Sequence, residues 1–220
     1  AMLGILSGGT GGDFRKTIGL TGTEDALAAL TRGRTLDIDV GRLTCASEEG
    51  GTFSTHFVNI ASFGLSGYTV RNALSLKQWG GKIAYFGATL KSLLGWRNAR
   101  VGLTIDGRIL PPRPIVMVAV GKGRYFGGGM KVCPGARIDS GEFEVVEIAD
   151  YSRFELMFLS RAMYNGTHVE EPRVHVHRGR VIEATAVAGD TVVIEYDGEP
   201  KGKLPARFEL LPRALKLIVP

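Results

Sequence analysis

From residue 99 to the C-terminus the chain is a succession of short aliphatic, β-branched runs cut by glycine, proline and aspartate, with room for one helix among them. Residues 99–105, 115–120, 130–133, 144–148, 173–177, 181–186, 191–196, 207–211 and 214–219 each have the length and composition of a strand. Strands this short bury an apolar face only by pairing side by side and closing over a second layer, so the pattern predicts a sandwich or a sheet closed on itself. The exception is 152–164, which has helix formers behind Asp150 or Ser152 as a cap.

The first hundred residues differ. An apolar run at 3–6 meets a glycine-rich turn, Ser7 to Gly12, and 13–20 can open a helix. Thr21 and Glu24 have capping-box spacing, 25–32 are helix formers, and Gly33 is a natural stop. Period-two patterning then takes over at 36–43 and 52–61, across a turn at 48–51, which predicts a hairpin. Two helices are predicted at 69–78 and 82–94, the second with Ile83, Phe86, Leu90 and Leu94 on one face. The expected fold class is therefore α+β and mostly β. Residues 35–220 form an antiparallel β-sandwich with a few helices, and 1–34 are the remnant of an α/β nucleotide-binding domain. The abrupt apolar start reads as a cut inside that domain.

With 44% hydrophobic residues in 220, a sizeable core is expected. The 31 glycines exceed the usual share of about 7% and fit many tight turns. A net charge of +5 suits nucleic acid, anionic lipid headgroups or polyphosphates, or simple solubility. Cys45 and Cys133 lack the spacing of a disulfide scaffold or zinc site and predict a reducing, cytoplasmic setting. No run of 18 apolar residues and no leader pattern occurs in the sequence, so membrane contact is expected to be peripheral, at the inner surface.

Three segments can carry chemistry. Ser7-Gly8-Gly9-Thr10-Gly11-Gly12-Asp13-Phe14 lies between a strand and a helix, where glycine N–H groups can hold phosphate oxygens, or simply make a turn. Asp197-Gly198-Glu199 displays two carboxylates on a tight turn, suited to holding a cation and accepting a proton, or solvated at a hairpin tip. Gly127 to Glu142 offers carbonyls and oxygen side chains to a hard cation, or is a sheet-edge loop. His175 and His177 share a strand face without a third ligand, which favours a polar surface over a metal site.

In this order the segments resemble the bacterial diacylglycerol and related lipid kinases, which are similar to sphingosine kinases and, more distantly, NAD kinases. Ser7 to Arg15 matches the family's P-x-G-T-x-N-D-F-A, and Phe57-Val58-Asn59-Ile60-Ala61-Ser62-Phe63-Gly64 its F-x-N segment. Gly81-Lys82-Ile83-Ala84-Tyr85 resembles a helix start, and Gly127 to Glu142 the G-G-G-x-x-x-P-x-A-x-x-D-D-G loop. Gly166-Thr167-His168 falls in a further block, and Asp197-Gly198-Glu199 with Leu204-Pro205-Ala206 matches the D-G-E ending. The resemblance spans almost the whole chain.

It implies transfer of the ATP γ-phosphoryl group to a lipid hydroxyl, with Mg2+. Glu199 would accept the proton beside Asp197, and Gly8, Gly9, Thr10 and Asp13 would contact the nucleotide. Arg137, Ser140 and Glu142 would ligate a structural magnesium, with Asp139 as a substitute ligand. The family's G-G-D-G-T loop does not occur in these 220 residues, so the isolated chain is expected to be inactive. Gly12, Gly121 and Ser140 stand where the family has Asn, Asn and Asp. Those departures keep two alternatives in view, a non-catalytic lipid-binding or regulatory module and an NAD kinase. The expected partners are a lipid alcohol and a membrane surface, with a homodimer also open, and not nucleic acid.

Overall fold

The computed structural model describes residues 2–6, 12–75, 92, 95–187 and 189–220. In chain order the elements are β1 (Met2–Leu3), α1 (Asp13–Thr17), α2 (Thr23–Arg32), β2 (Thr35–Ala46), β3 (Thr52–Phe57), β4 (Ile60–Gly64) and α3 (Leu65–Ser75). There follow β5 (Ala99–Ile105), β6 (Arg108–Ile109), β7 (Arg113–Ile115), β8 (Met117–Gly121) and β9 (Phe143–Ile148). Helix α4 (Arg153–Asn165) and a 3-10 turn (Thr167–Glu170) precede β10 (Val174–Gly179), β11 (Val181–Ala186), β12 (Val193–Tyr196) and β13 (Glu199–Ile218). The predicted helix 82–94 lies outside the described residues apart from Ser92.

The architecture is mostly β with few helices, as the strand pattern requires. Its layers belong to one curled sheet with path β10-β9-β8-β4-β12-β13-β11-β5-β6, on which β2 and β3 pair beside β13, and β7 beside β5. All pairings are antiparallel except β1, which runs parallel to β13 at Lys216 and Leu217. Curling brings strands distant along that path together. Phe57 stacks on Phe143 at 5.8 Å, and Phe208 meets Phe57 at 6.4 Å and Phe63 at 6.0 Å. Leu43, Val118, Val120, Val145, Ile182 and Ile194 complete this inner core.

Strands β8 and β9 are buried on both faces, which explains their continuous apolar runs. Val118 and Val120 point to the inner core, while Met117, Ala119, Val146 and Ile148 join a second core beneath α4, with Leu159 and Met163. Of the two caps offered, Asp150 and Ser152, it is Ser152 that caps α4, in a reciprocal capping box with Glu155, and Gly166 ends it in the left-handed region at φ 80°. Helix α2 stops at Gly33 as read, but its cap is Gly22. Thr21 sits one residue too early and instead gives its N–H and hydroxyl to Asp25.

Three strand expectations fail for identifiable reasons. Residues 52–61 are two strands, because after Phe57 the N–H groups of Val58 and Asn59 turn to the Asp197 carboxylate and β4 leaves β2 to pair with β12 and β8. Residues 130–133 form only a bridge, Phe126 to Met130. Glycines with positive φ at 127–129 precede them, and Val132 and Cys133 are buried as a loop plug in the second core. The strands predicted at 207–211 and 214–219 are one strand, β13, which pairs with β2 from Lys203 to Ile218. Arg213 leaves the ladder at φ 50°, and its N–H is satisfied by Asp39 Oδ1 at 3.0 Å, so pairing resumes at Leu215.

Candidate functional site

Strands β12 and β13 pair at Tyr196 and Glu199 and are closed by Asp197 and Gly198 alone, at φ 48° and 88°. Positive φ at both central positions is what a two-residue type I′ hairpin requires, and Asp-Gly is among its favoured sequences. Asp197 also anchors the turn. Its carboxylate accepts the N–H groups of Val58 (2.9 Å), Asn59 (3.0 Å) and Ile60 (3.2 Å), and its own N–H donates to the Ile60 carbonyl at 3.0 Å. Burial of the carboxyl raises its pKa, the three N–H groups oppose that rise, and the Glu199 charge adds to it. Glu199 itself, the first residue of β13, is exposed.

Asp197→Asn should separate anchoring from chemistry. An amide presents one acceptor oxygen and one NH2 to three donors, so an N–H group loses its partner at a cost of about 1–3 kcal/mol. Urea unfolding should show that loss, and an unchanged midpoint would mean the turn holds itself.

Beneath the turn lies a group that the strand pattern hid. Glu195 is 1% exposed. One of its oxygens accepts the Ser62 hydroxyl in a short hydrogen bond, the other accepts Gly198 N–H at 3.1 Å, and Ser62 Oγ lies 2.7 Å from Ser66 Oγ. Burial pushes Glu195 up to about 7; the Ser62 and Gly198 hydrogen bonds oppose the shift and the Asp197 charge adds to it. The only signal in the sequence is a lone acid inside an apolar strand, between Ile194 and Tyr196.

Asn59 connects this turn to the front of the chain. It is 8% exposed, donates Nδ2 to the Tyr125 carbonyl at 3.0 Å, and accepts the N–H groups of Lys122 and Gly123 on its own carbonyl, both at 2.8 Å. A Cβ at Gly123 would lie 1.9 Å from Asn59 Oδ1 and 3.2 Å from Thr17 Oγ, so only glycine lets the three segments meet. Thr17 Oγ accepts Arg124 N–H at 2.9 Å, and Asp13 Oδ2 accepts Gly128 N–H at 2.8 Å. Helix α1 is thereby docked on the loop that Asn59 holds against the acidic turn. Of the residues read as nucleotide contacts, Gly8, Gly9 and Thr10 lie outside the described residues. Asp13 is placed at this junction, also paired with Lys16 at 3.0 Å.

Two of the oxygen atoms read as magnesium ligands, from Ser140 and Glu142, meet an ammonium group instead, and the third, of Arg137, meets Ser140. Lys122 Nζ lies 3.0 Å from Ser140 Oγ and 2.8 Å from the Glu142 carbonyl, and Ser140 Oγ donates to the Arg137 carbonyl at 3.2 Å. Asp139 makes an ion pair with Arg137 at 3.4 Å and acts on Lys122 only through its charge. A donor set centred on a lysine, with a hydroxyl in place of a carboxylate, does not fit magnesium.

His175 and His177 share one face of β10, with rings 6.5 Å apart, and His177 meets Glu147 at 3.4 Å. No group of three metal-ligating side chains occurs among the described residues. A cleft of about 410 Å³ at the start of α4 is lined by Trp96, Asn98, Tyr151, Arg153, Leu156 and Arg173, among others, and by none of the candidate site residues.

Comparison with known proteins agrees with the mostly β fold. The family described as "YegS C-terminal NAD kinase beta sandwich-like domain" matches residues 59–219. Diacylglycerol kinase of Mycobacterium tuberculosis is 26% identical over 220 residues, covering 99% of this chain and 69% of that protein. The Staphylococcus carnosus enzyme of the same name is 24% identical, covering 99% and 68%. A solved diacylglycerol kinase from Bacillus anthracis superposes with a TM-score of 0.67 at 18% identity, over 100% of this chain and 67% of that one. Yeast NADH kinase gives a TM-score of 0.52 at 11% identity over 93% and 51%, a likeness of fold alone.

Proposed function

We propose, from the premise that this chain belongs to the bacterial lipid kinase family through its YegS C-terminal NAD kinase beta sandwich-like domain, that the protein carrying it transfers the γ-phosphoryl group of ATP to the hydroxyl of a diacylglycerol-like lipid. One observation carries the reading. The acidic turn is bolted through Asp197 to Asn59, and Asn59 holds the loop on which α1 docks, so the helix that follows the glycine segment and the acidic turn brace the same loop.

Phosphoryl transfer asks for positioning and charge neutralisation more than for covalent help from the protein. Glu199 takes the proton of the lipid hydroxyl as the hydroxyl oxygen attacks the γ-phosphorus and the bond to the β–γ bridging oxygen breaks, releasing ADP, and Asp197 keeps that carboxylate in place. Gly8, Gly9 and Thr10 are assigned to the phosphates, and Asp13 braces the start of α1 against the 127–129 loop. ATP bound with Mg2+ would supply the transferred group. The isolated chain, without a G-G-D-G-T segment, is expected to be inactive.

The protein carrying this chain, incubated with γ-labelled ATP, Mg2+, mixed bacterial lipids and NAD, should release label into the organic phase as a phospholipid. Label on NAD alone would favour an NAD kinase. Lipid binding without any labelled product would favour the non-catalytic module.

Membrane contact is assigned to α4. Trp79, Lys82, Lys91, Trp96 and Arg97 are the aromatic and basic residues around the segment 82–94, of which only Trp96 and Arg97 are described; Trp96 is half-buried in the cleft beside α4. On α4, Phe154, Met157, Phe158 and Tyr164 are 79%, 65%, 78% and 56% exposed and share a face with Arg153 and Arg161. Apolar rings with arginines on the same stripe suit an anionic bilayer surface. Exchanging Phe154 and Phe158 together for serine should weaken sedimentation with phosphatidylglycerol vesicles by about tenfold or more. Binding indifferent to both the exchange and salt would remove α4 from this role.

A further inference from the structure

The position read as a metal centre is filled by the chain itself. Lys122 follows the last residue of β8, is 0% exposed, and faces Asp39 of β2, which is 1% exposed. An ammonium has three donors and no acceptor, and here three oxygens meet it: Asp39 Oδ2 at 2.8 Å, Ser140 Oγ at 3.0 Å and the Glu142 carbonyl at 2.8 Å. Those are hydrogen-bond lengths, well beyond the roughly 2.0–2.1 Å of magnesium coordination. Asp39 is equally saturated. It accepts Gly141 N–H at 2.8 Å and Arg213 N–H at 3.0 Å, while its own N–H donates to the Ile138 carbonyl at 2.8 Å.

We propose that Lys122 is a tethered cation standing where the resemblance places a structural magnesium, tying β2, the end of β8, the 137–142 loop and the bulge of β13 into one divalent-independent knot. Ser140 completes the exchange: a neutral hydroxyl beside an ammonium replaces a carboxylate beside a divalent ion, so the local charge stays balanced. Through the Lys122 N–H on the Asn59 carbonyl, at 2.8 Å, the same residue braces the wall that carries the acidic turn. Divalent cation is then needed for nucleotide and not for this fold.

The test reads stability and metal content, so it stands or falls apart from the kinase reading. Without nucleotide, the wild-type melting temperature should be the same within about 2 °C in EDTA and in 5 mM MgCl2, about what 1 kcal/mol moves in a domain this size. Lys122→Met leaves Asp39 buried without its cation and should lower the melting temperature by about 10 °C in both buffers. The double variant Lys122→Asn/Ser140→Asp rebuilds an oxygen site. It should be destabilised in EDTA and recover several degrees in MgCl2, and this difference reports even where the methionine variant fails to fold. A wild-type protein stabilised by magnesium, or retaining one Mn2+ per chain after desalting without nucleotide, would overturn the proposal. So would a methionine variant as stable as wild type.

Discussion

Replacing Glu199 by alanine in the protein that carries this chain should lower the rate of lipid phosphorylation by about 10²–10⁴-fold, the usual contribution of a positioned base, with little change in stability. The two halves of that expectation rest on different atoms. Glu199 pairs with Tyr196 through the backbone of the hairpin, which alanine preserves, and its side chain is exposed, so its loss leaves no buried donor unmet. Glutamine at the same position keeps the shape and removes the basicity, and should lose activity as alanine does. Asp197→Asn should behave differently, losing stability because it unpins the turn from Val58, Asn59 and Ile60. An alanine variant within threefold of wild type would take Glu199 out of the reaction, and an equal loss of stability in both variants would reduce it to a structural end of β13.

The turn was legible before any coordinates because its backbone is spelled locally: Asp-Gly at positive φ is a two-residue instruction. Helix α4 was legible for the same reason, since Ser152 and Glu155 form their capping box within one turn of chain. What could not be read is what depends on partners far apart. Lys122 looks like a solvated lysine at a strand end, and Asp39 like one acid of an alternating strand. Only the return of β13 and the loop after β8 buries them together, 83 residues apart. The same long-range pairing hid the continuity of β13. Pro212 and Arg213 are local stop signals, and a side chain on β2 overrides them by taking the orphaned N–H. Residues 130–133 misled in the opposite sense, because burial in a loop beneath α4 asks for the same apolar residues as burial in a strand.

Glu195 yields the second large effect, on stability against pH. Its folded pKa of about 7 stands above the ordinary 4.5. Between those values the folded protein keeps a proton that the unfolded chain gives up, so stability falls as pH rises through the window and levels off above about 7. The total is about 3 kcal/mol, at roughly 1.4 kcal/mol per pH unit. Protonated Glu195 can donate to Ser62 while still accepting Gly198 N–H, and Ser62 then passes its hydrogen to Ser66, so every member of the row is satisfied. Glutamine mimics that protonated form at every pH. Glu195→Gln should therefore match wild type near pH 4.5 and exceed it by up to about 3 kcal/mol at pH 8, read from urea unfolding across the range. A difference that does not grow with pH would mean the buried carboxylate stays ionised throughout, with the row of hydroxyls and the turn N–H meeting the whole cost of its burial.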